Sequence, residues 1–208
     1  MEGVWVLMGT YIIAITGASG GIYGVRLLKY LLKYGHKVYL TITKEGKIIL
    51  KDEVGYNWDG KENTIEKKIK RDFRLLNANL EYFNEDNLLS PISSGSSLVD
   101  AMIIIPCSMK TLSGIAHGYA NNLVERAADV MIKEGRTLIL VPRETPFNTI
   151  HLRNMLLLSE TGVKIIPPIP AFYHHPKNLD HIVDFIVGKV LDSLGIKNNL
   201  YKRWKKRK

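Results

Sequence analysis

The sequence predicts an α/β fold in which a doubly wound parallel sheet carries helices on both faces. Short apolar runs rich in β-branched residues recur along the chain, and each run is bounded by glycine, proline or a charged residue. The segments between them repeat apolar residues every three or four positions, which is the spacing of an amphipathic helix. Strands that alternate with helices imply right-handed crossovers, and such crossovers cover both faces of a parallel sheet.

Five runs are predicted to be buried strands: residues 11–16, 38–42, 101–105, 137–141 and 163–166. Four segments are predicted to be helices: residues 22–34, 123–133, 150–159 and 179–194. The stretch from Val54 to Leu89 is rich in Asn, Glu and Lys and shows no clear strand, so we expect a surface excursion with one helix. This pattern fits a Rossmann- or flavodoxin-like sheet, in which ligands bind beyond the carboxyl ends of the strands.

Composition predicts a single domain over residues 1–208. The chain has 208 residues, of which 46% are hydrophobic and 24% are charged, and this is enough for one core. Much of the net charge of +9 belongs to a basic C-terminal tail, residues 197–208. A terminal basic run is more often a solvated tail than a nucleic-acid surface, so we expect no nucleic-acid partner.

The start of the chain and its one cysteine indicate the cellular compartment in which the protein acts. The apolar run from Val4 to Ile15 follows Glu2 where an export signal would be basic, and it leads into a glycine-rich turn. We therefore expect a first strand and no membrane span. Cys107 is the only cysteine, which excludes an internal disulfide and favours a cytoplasmic protein. We interpret Cys107 as a packing residue.

A glycine-rich turn, residues 16–24, begins where the first predicted strand ends and opens a helix. Free amide groups at a helix start favour an anion such as phosphate. A similar turn binds the dinucleotide in short-chain dehydrogenases, but no acidic residue is placed after the second strand to hold a ribose hydroxyl. Tyr173 and Lys177 have the spacing of that family's catalytic pair, yet Pro176 between them opposes a helix.

Polar residues also follow the later strands. Ser108 can cap the next helix, and with Thr111 it offers a second anion cradle, although an ordinary helix cap is the alternative. Arg143 and Glu144 lie between two prolines, where they could hold an anion and move a proton, or form only a surface ion pair. The proline-rich segment 167–176 presents aromatic rings suited to a flat or hydrocarbon ligand, although a plain rigid loop would look similar.

Several histidines raise the question of a metal site. No pair among them has the i, i+4 spacing of helical metal ligands, and no cysteine cluster accompanies them. We therefore expect no bound metal. The histidines considered are His151, His174, His175 and His181.

Taken together, these segments resemble the UbiX-type flavin prenyltransferases, within the flavin-binding cysteine decarboxylase-like group. Each matching block is weak by itself, but the blocks occur in the family's order over nearly the whole chain. They are residues 17–20 with 23–24, 94–97, 106–108, 122–123 with 125–130, 133–134, 142–144 and 170–174.

The resemblance implies an enzyme that joins a dimethylallyl group from dimethylallyl phosphate to N5 and C6 of reduced FMN. The product, prenylated FMN, would serve a UbiD-type decarboxylase. The resemblance also implies a high-order homo-oligomer, a dodecamer, with the flavin ring between subunits. The residues that it assigns to FMN are Gly17, Ala18, Ser19, Thr43, Ser108, Met109, Lys110, Thr111 and Arg143.

The resemblance assigns further residues to the substrate phosphate and to catalysis. Around the phosphate it implies Lys133, Tyr173 and Lys189, together with Arg143 and with Gly95 nearby, and in catalysis it implies Ser19, Glu53, Arg126 and Glu144. Clustered Lys and Arg would stabilise the leaving phosphate in place of a metal. Ring closure requires loss of a proton, for which Glu144 is the candidate base.

Two positions depart from the family pattern. Lys189 stands where Arg is common, so the positive charge remains but the bidentate fork is lost. Thr43 stands where Ser is usual, and it keeps the hydroxyl group.

Two other functions remain open. An FMN-dependent decarboxylase of a cysteine-containing peptide would need a catalytic His and an Asn-containing loop, for which the sequence has no convincing match. A non-catalytic carrier could hand prenylated flavin to a partner decarboxylase.

Overall fold

The computed structural model describes residues 8–204, in which one six-stranded parallel sheet has seven α-helices packed on its two faces. A π turn (Leu50–Val54) continues α2, and a 3₁₀ turn (Pro91–Ser93) precedes β4. The main elements in chain order are β1 (Thr10–Ile15), α1 (Gly21–Lys33), β2 (Lys37–Ile42), α2 (Lys44–Ile49), α3 (Glu62–Phe73), β3 (Leu80–Asn84), β4 (Ala101–Cys107), α4 (Met109–Ala116), α5 (Leu123–Lys133), β5 (Thr137–Pro142), α6 (Thr149–Glu160), β6 (Lys164–Ile165) and α7 (Leu179–Ser193).

The strands lie in the order β3-β2-β1-β4-β5-β6, and every neighbouring pair is parallel. The order reverses between β1 and β4, where the chain switches from one half of the sheet to the other. In doubly wound sheets the connections diverge at such a point, and ligands bind in the crevice that this opens. The predicted doubly wound fold is therefore confirmed.

Alternate residues of β1 pack into two separate cores. Ile13 contacts the core that contains Leu28 of α1 and Val187 of α7. Ile12 faces the other core, which contains Ala128 of α5. Side chains of a strand alternate between faces, and the helices on both sides explain why residues 11–15 are all buried.

The predicted strands and helices agree with the structure apart from their bounds. All five predicted strands occur, but β6 is reduced to Lys164–Ile165. The four predicted helices correspond to α1, α5, α6 and α7, with ends that differ by no more than one residue. Helix ends are the least certain feature of a hydrophobic pattern.

The interpretation of residues 54–89 was wrong, because this stretch contains a strand, β3, in addition to α3. β3 lies at the edge of the sheet, where Glu81 pairs with Lys37 of β2 at 2.8 Å. The polar residues that obscured the pattern are thus those of an exposed strand edge. α3 is mostly charged but buries Ile65, Ile69 and Phe73 at helical spacing.

The predicted basic tail is not a free segment as far as residue 204. Asn198 is buried, and Arg203 forms an ion pair with Asp192 at 2.7 Å. Residues 205–208, and the first part of the predicted apolar start, lie outside the described residues. None of the helices between residues 8 and 204 is long and apolar enough to cross a membrane.

We predict that Gly24→Ala destabilises the protein, because α1 lies directly against the backbone of β4 at this residue. A Cβ at position 24 would lie 2.3 Å from the carbonyl oxygen of Ile105 and 2.9 Å from a side-chain carbon of Ile15. The helix would have to move off the sheet, and we expect a loss of roughly 3 kcal/mol in the free energy of unfolding, measured in urea.

Gly55→Ala is the matched control. Its Cβ would meet nothing within 4 Å, and only its φ of +78° would be strained. This should cost about 1 kcal/mol. Equal losses for the two variants would contradict the close approach of α1 to β4.

Candidate functional site

Thr16 joins the loops that follow β1 and β4. Its hydroxyl donates to the carbonyl oxygen of Pro106 at 2.8 Å and accepts from the amide of Ser108 at 2.8 Å. The Thr16 side chain is fully buried, so water does not compete for these bonds. The loops that carry Ser19 and Ser108 therefore lie side by side where the strand order reverses.

Arg143 joins the loop after β5 to the same place. Its backbone amide donates to the carbonyl oxygen of Cys107 at 3.2 Å, and its Nε donates to the carbonyl oxygen of Ser19 at 3.2 Å. The Glu144 carboxylate accepts from the amide of Thr145 instead of pairing with Arg143. The guanidinium thus lies where three strand-end loops meet.

The Ser108 side chain is an N-cap of α4, as one interpretation of the sequence predicted. Its Oγ accepts from the amide of Thr111 at 3.2 Å and lies 3.0 Å from the Thr111 hydroxyl. The cap also forms part of a cavity of about 100 Å³. The cavity is lined by hydroxyl and ammonium donors that suit a phosphate or a polyol: Thr43, Ser108, Lys110 and Thr111. Its other lining residues are Gly17, Glu45, Glu85 and Asn122.

Glu53 occupies the start of α1. Its Oε2 accepts from the amide of Gly20 at 2.8 Å and from that of Gly21 at 3.3 Å. The prediction that the amides of this glycine-rich turn are free for a phosphate is therefore wrong for these two groups. Glu53 comes from the π turn after α2, and this contact sets its carboxylate next to Ser19.

A second cavity lies beside this junction. It has a volume of about 370 Å³ and is lined by Tyr23, Arg143, Glu144 and the proline segments that follow β5 and β6. Burial raises the pKa of Tyr23, which keeps its phenol protonated. The Glu144 side chain is half-buried in this cavity, between walls that are largely apolar. Its carboxylate is therefore well placed to accept a proton.

Gly95 and Lys133 come together, as the resemblance implied, but away from the switch point. A Cβ on Gly95 would lie 3.2 Å from Nζ of Lys133, and Nζ lies 2.6 Å from the Glu134 carboxylate. This ion pair lowers the pKa of Glu134. Arg136 fixes the adjoining loop by donating to the carbonyl oxygens of Gly95 and Ser97 at 2.7 and 2.6 Å.

The direction of α5 explains this separation. α5 begins after Asn122, which lines the small cavity with Ser108, and it ends at Lys133. The rise along the helix from Leu123 to Lys133 is about 15 Å. Arg126 lies one turn into α5, where it donates to the carbonyl oxygen of Ser93 and to Asp129.

Tyr173 belongs to a third group, in which the loop after β6 packs on α7. Its ring centroid lies 6.0 Å from that of Phe185 and 5.4 Å from that of Trp204. Lys189 is exposed on α7 one turn beyond Phe185. His174 stacks on Phe185 at 5.1 Å, and neither of its ring nitrogens has a partner among the described residues. The predicted site residues therefore form three groups within one chain.

The histidines considered as metal ligands are dispersed. His151 caps α6 beside Asn148, and His181 accepts from the amide of Lys177. Within residues 8–204, no group of three or more His, Cys, Asp or Glu residues is arranged to hold a metal ion. Cys107 is fully buried, and burial raises the pKa of its thiol, so its interpretation as a packing residue is confirmed.

Sequence analysis assigned no role to Thr16, Arg136 or Asp192, although Thr16 joins two strand-end loops, Arg136 fixes the loop at Gly95, and Asp192 pairs with Arg203. Thr16 had a weak signal, because a hydroxyl residue ended an otherwise apolar run. Arg136 and Asp192 had none, since their partners lie in other segments of the chain.

Comparison with known proteins agrees with this geometry. Residues 9–191 match the Flavoprotein family. The flavin prenyltransferase UbiX of Halalkalibacterium halodurans is 48% identical over 199 residues, which cover 96% of this chain and 95% of that protein.

Two solved structures are similar over nearly their whole length. The dodecameric FMN-dependent UbiX-like decarboxylase from Escherichia coli O157:H7 has a TM-score of 0.84 at 43% identity, covering 94% of this chain and 99% of its own. AnUbiX (PadA1), in complex with FMN and dimethylallyl pyrophosphate, has a TM-score of 0.86 at 35% identity, covering 97% and 100%. With three strand-end loops joined at the switch point and this similarity throughout, the chain belongs to the UbiX-type flavin prenyltransferases of the Flavoprotein family.

Proposed function

We propose that this protein joins a dimethylallyl group from dimethylallyl phosphate to reduced FMN, giving prenylated FMN for a UbiD-type decarboxylase. The observation that carries the proposal is the junction of Ser19, Ser108 and Arg143 in a chain 48% identical to a flavin prenyltransferase. The similar AnUbiX was solved with FMN and dimethylallyl pyrophosphate, which supports FMN and a phosphorylated dimethylallyl substrate here.

In this proposal the loops after β1, β2, β4 and β5 hold FMN. Arg143 bonds Ser19 through Nε and keeps its terminal N–H groups for a phosphate or a ring carbonyl. The small cavity beside Ser108 offers hydroxyl donors of the kind that a ribityl phosphate needs. When bound and reduced, the flavin supplies the nucleophile. The proposed FMN residues are Gly17, Ala18, Ser19, Thr43, Ser108, Met109, Lys110, Thr111 and Arg143.

The substrate phosphate would be held by Lys133 with Gly95 and by Lys189 with Tyr173. Because Lys133 lies at the end of α5 remote from the loops that Arg143 joins, the proposal requires that neighbouring copies complete the site. The dodecameric relative supports such an assembly. So does α6, which leaves Ile150, Leu152 and Leu156 more than half exposed on one apolar helix.

Each group would then have a distinct task. Loss of phosphate leaves an allyl cation and a developing negative charge, and the Lys and Arg side chains stabilise that charge. The rings of Tyr173 and Trp204 offer π surface to the cation. Glu144 would accept the proton that ring closure releases. Glu53 would hold the turn that carries Ser19, while Arg126 fixes the serine-rich loop before Gly95.

We also propose that the chain forms one domain and acts in the cytoplasm. The continuous sheet with a core on each face supports the first statement. The single buried cysteine supports the second. Decarboxylation of a cysteine peptide is not favoured, because relatives 42% and 48% identical to this chain are flavin prenyltransferases.

The first prediction concerns the product. Anaerobic incubation of the protein with reduced FMN and dimethylallyl phosphate should give a flavin heavier by one five-carbon unit, detected by mass spectrometry. Parallel reactions with dimethylallyl pyrophosphate would identify the preferred leaving group. An unchanged flavin mass while both ligands bind would contradict the proposed transfer.

The second prediction separates an enzyme from a carrier. Glu144→Gln removes the candidate base and should lower the rate of product formation roughly 100-fold or more, while FMN affinity stays the same. The matched control is Glu160→Gln, an exposed residue at the end of α6, which should keep full activity. A carrier would tolerate both substitutions equally, so equal rates for the two variants would exclude Glu144 as the base.

The third prediction tests whether copies share a site. Lys133→Ala and Arg143→Ala should each be inactive alone, because each removes a different contributor to one site. Co-expression of the two variants should restore activity, since roughly a quarter of the sites would combine two intact contributions. Complete inactivity of mixed oligomers, verified by mass spectrometry, would mean that both residues act from the same chain.

A further inference from the structure

One carboxylate fastens the C-terminal segment to α7. We call residues 198–204 the strap. Asp192 accepts from the Tyr201 hydroxyl at 2.6 Å, from the two terminal nitrogens of Arg203 at 2.7 and 3.0 Å, and from the Asn198 amide at 2.9 Å. All of these donors belong to the strap. A charged, bidentate contact of this kind is among the stronger hydrogen bonds in proteins.

The strap also packs closely against α7. A Cβ on Gly188 would lie 2.5 Å from the Tyr201 ring, so the strap approaches the helix at a residue that has no side chain. The Tyr201 ring lies 5.1 Å from Phe185, and the Asn198 amide also donates to the carbonyl oxygen of Gly188. Packing and hydrogen bonding therefore both fix the strap on α7, through Asn198, Tyr201 and Arg203.

The fastened strap ends beside a residue of the proposed substrate site. Trp204 directly follows Arg203, and its ring meets the Tyr173 ring edge to face at 5.4 Å and 89°. Trp204 is 71% exposed and Tyr173 is 37% exposed, so the two rings form an open aromatic corner. Lys189 lies on the same helix, one turn before Asp192.

The protonation states of Asp192 and Tyr201 maintain the hydrogen bonds between the strap and α7 near neutral pH. Burial alone would raise the pKa of Asp192, but the bonds from Arg203, Tyr201 and Asn198 outweigh it and lower the pKa. Burial and the bond to Asp192 raise the pKa of Tyr201 to about 12. Asp192 is thus ionised, and Tyr201 keeps the proton that it donates.

We propose that Asp192 is a positioning residue for prenyl transfer: by fastening the strap, it holds Trp204 against Tyr173 as a wall for the dimethylallyl group beside Lys189. The inference rests on the proposed function and adds a residue that acts through the strap without touching the substrate. It predicts that Trp204 is held less firmly against Tyr173 when the Asp192–Arg203 contact is removed.

The test is Asp192→Asn in the full chain. We expect trypsin to cleave at Lys202 and Arg203 roughly ten-fold faster, and the KM for dimethylallyl phosphate to rise roughly ten-fold while kcat changes less. FMN affinity should stay the same. Asp180→Asn is the control, because Asp180 is an ion-paired residue of the same helix that bonds Arg26 and not the strap.

Further variants distinguish positioning from a general loss of structure. Asp192→Glu keeps the charge and should recover most of the wild-type KM. Arg203→Gln breaks the same ion pair at an exposed side chain and should repeat the KM increase even if Asp192→Asn folds poorly. In the Trp204→Ala background, Asp192→Asn should raise KM no further.

Three results would overturn the inference. Unchanged proteolysis of Asp192→Asn would mean that the carboxylate does not fasten the strap. Faster proteolysis with an unchanged KM would mean that the strap does not serve the substrate. Failure of the wild type to prenylate FMN would refute the proposed function and the positioning role together, whereas the proteolysis would still report on the fastening itself.

Discussion

The buried hydroxyl of Thr16 is the contact on which the arrangement of the site depends. The strand order reverses between β1 and β4, so α1 and α4 pack on opposite faces and their starting loops diverge. Divergence opens the crevice, but it would also leave the two loops independent of each other. Thr16 hydrogen-bonds to the carbonyl oxygen of Pro106 and to the amide of Ser108, and so holds the two loops together at the base of the crevice.

The cationic groups of the proposed reaction lie on separate elements of the chain. Lys133 pairs with Glu134 at the far end of α5, while Arg143 bonds a backbone carbonyl at the crevice. Lys189 is exposed on α7. Like charges repel when they share a site without an anion, so dispersing them within each chain avoids that cost during folding. In the proposed assembly they would converge where the phosphate binds.

The sequence predicted the fold wherever a single local pattern was strong. The glycine-rich turn before α1, the apolar run of β4 and the amphipathic spacing of α5 were all identified with nearly correct bounds. It failed at β3, because an edge strand with Glu81 on its surface lacks the apolar continuity of a central strand. The strap escaped notice for a related reason, since it belongs to a basic C-terminal run whose charges concealed the packing of Tyr201 on Gly188.

The sequence by itself determined the fold class, the loops that follow each strand and the family resemblance, because turn chemistry and hydrophobic period are local properties. Only the tertiary structure decided which polar groups of those loops are already hydrogen-bonded to other parts of the chain. Glu53 occupies the amide of Gly20 from 33 positions away, and Thr16 bonds the amide of Ser108 across 92 positions. Such contacts depend on how helices and strands pack, and packing is set by the whole chain and not by any short segment of it.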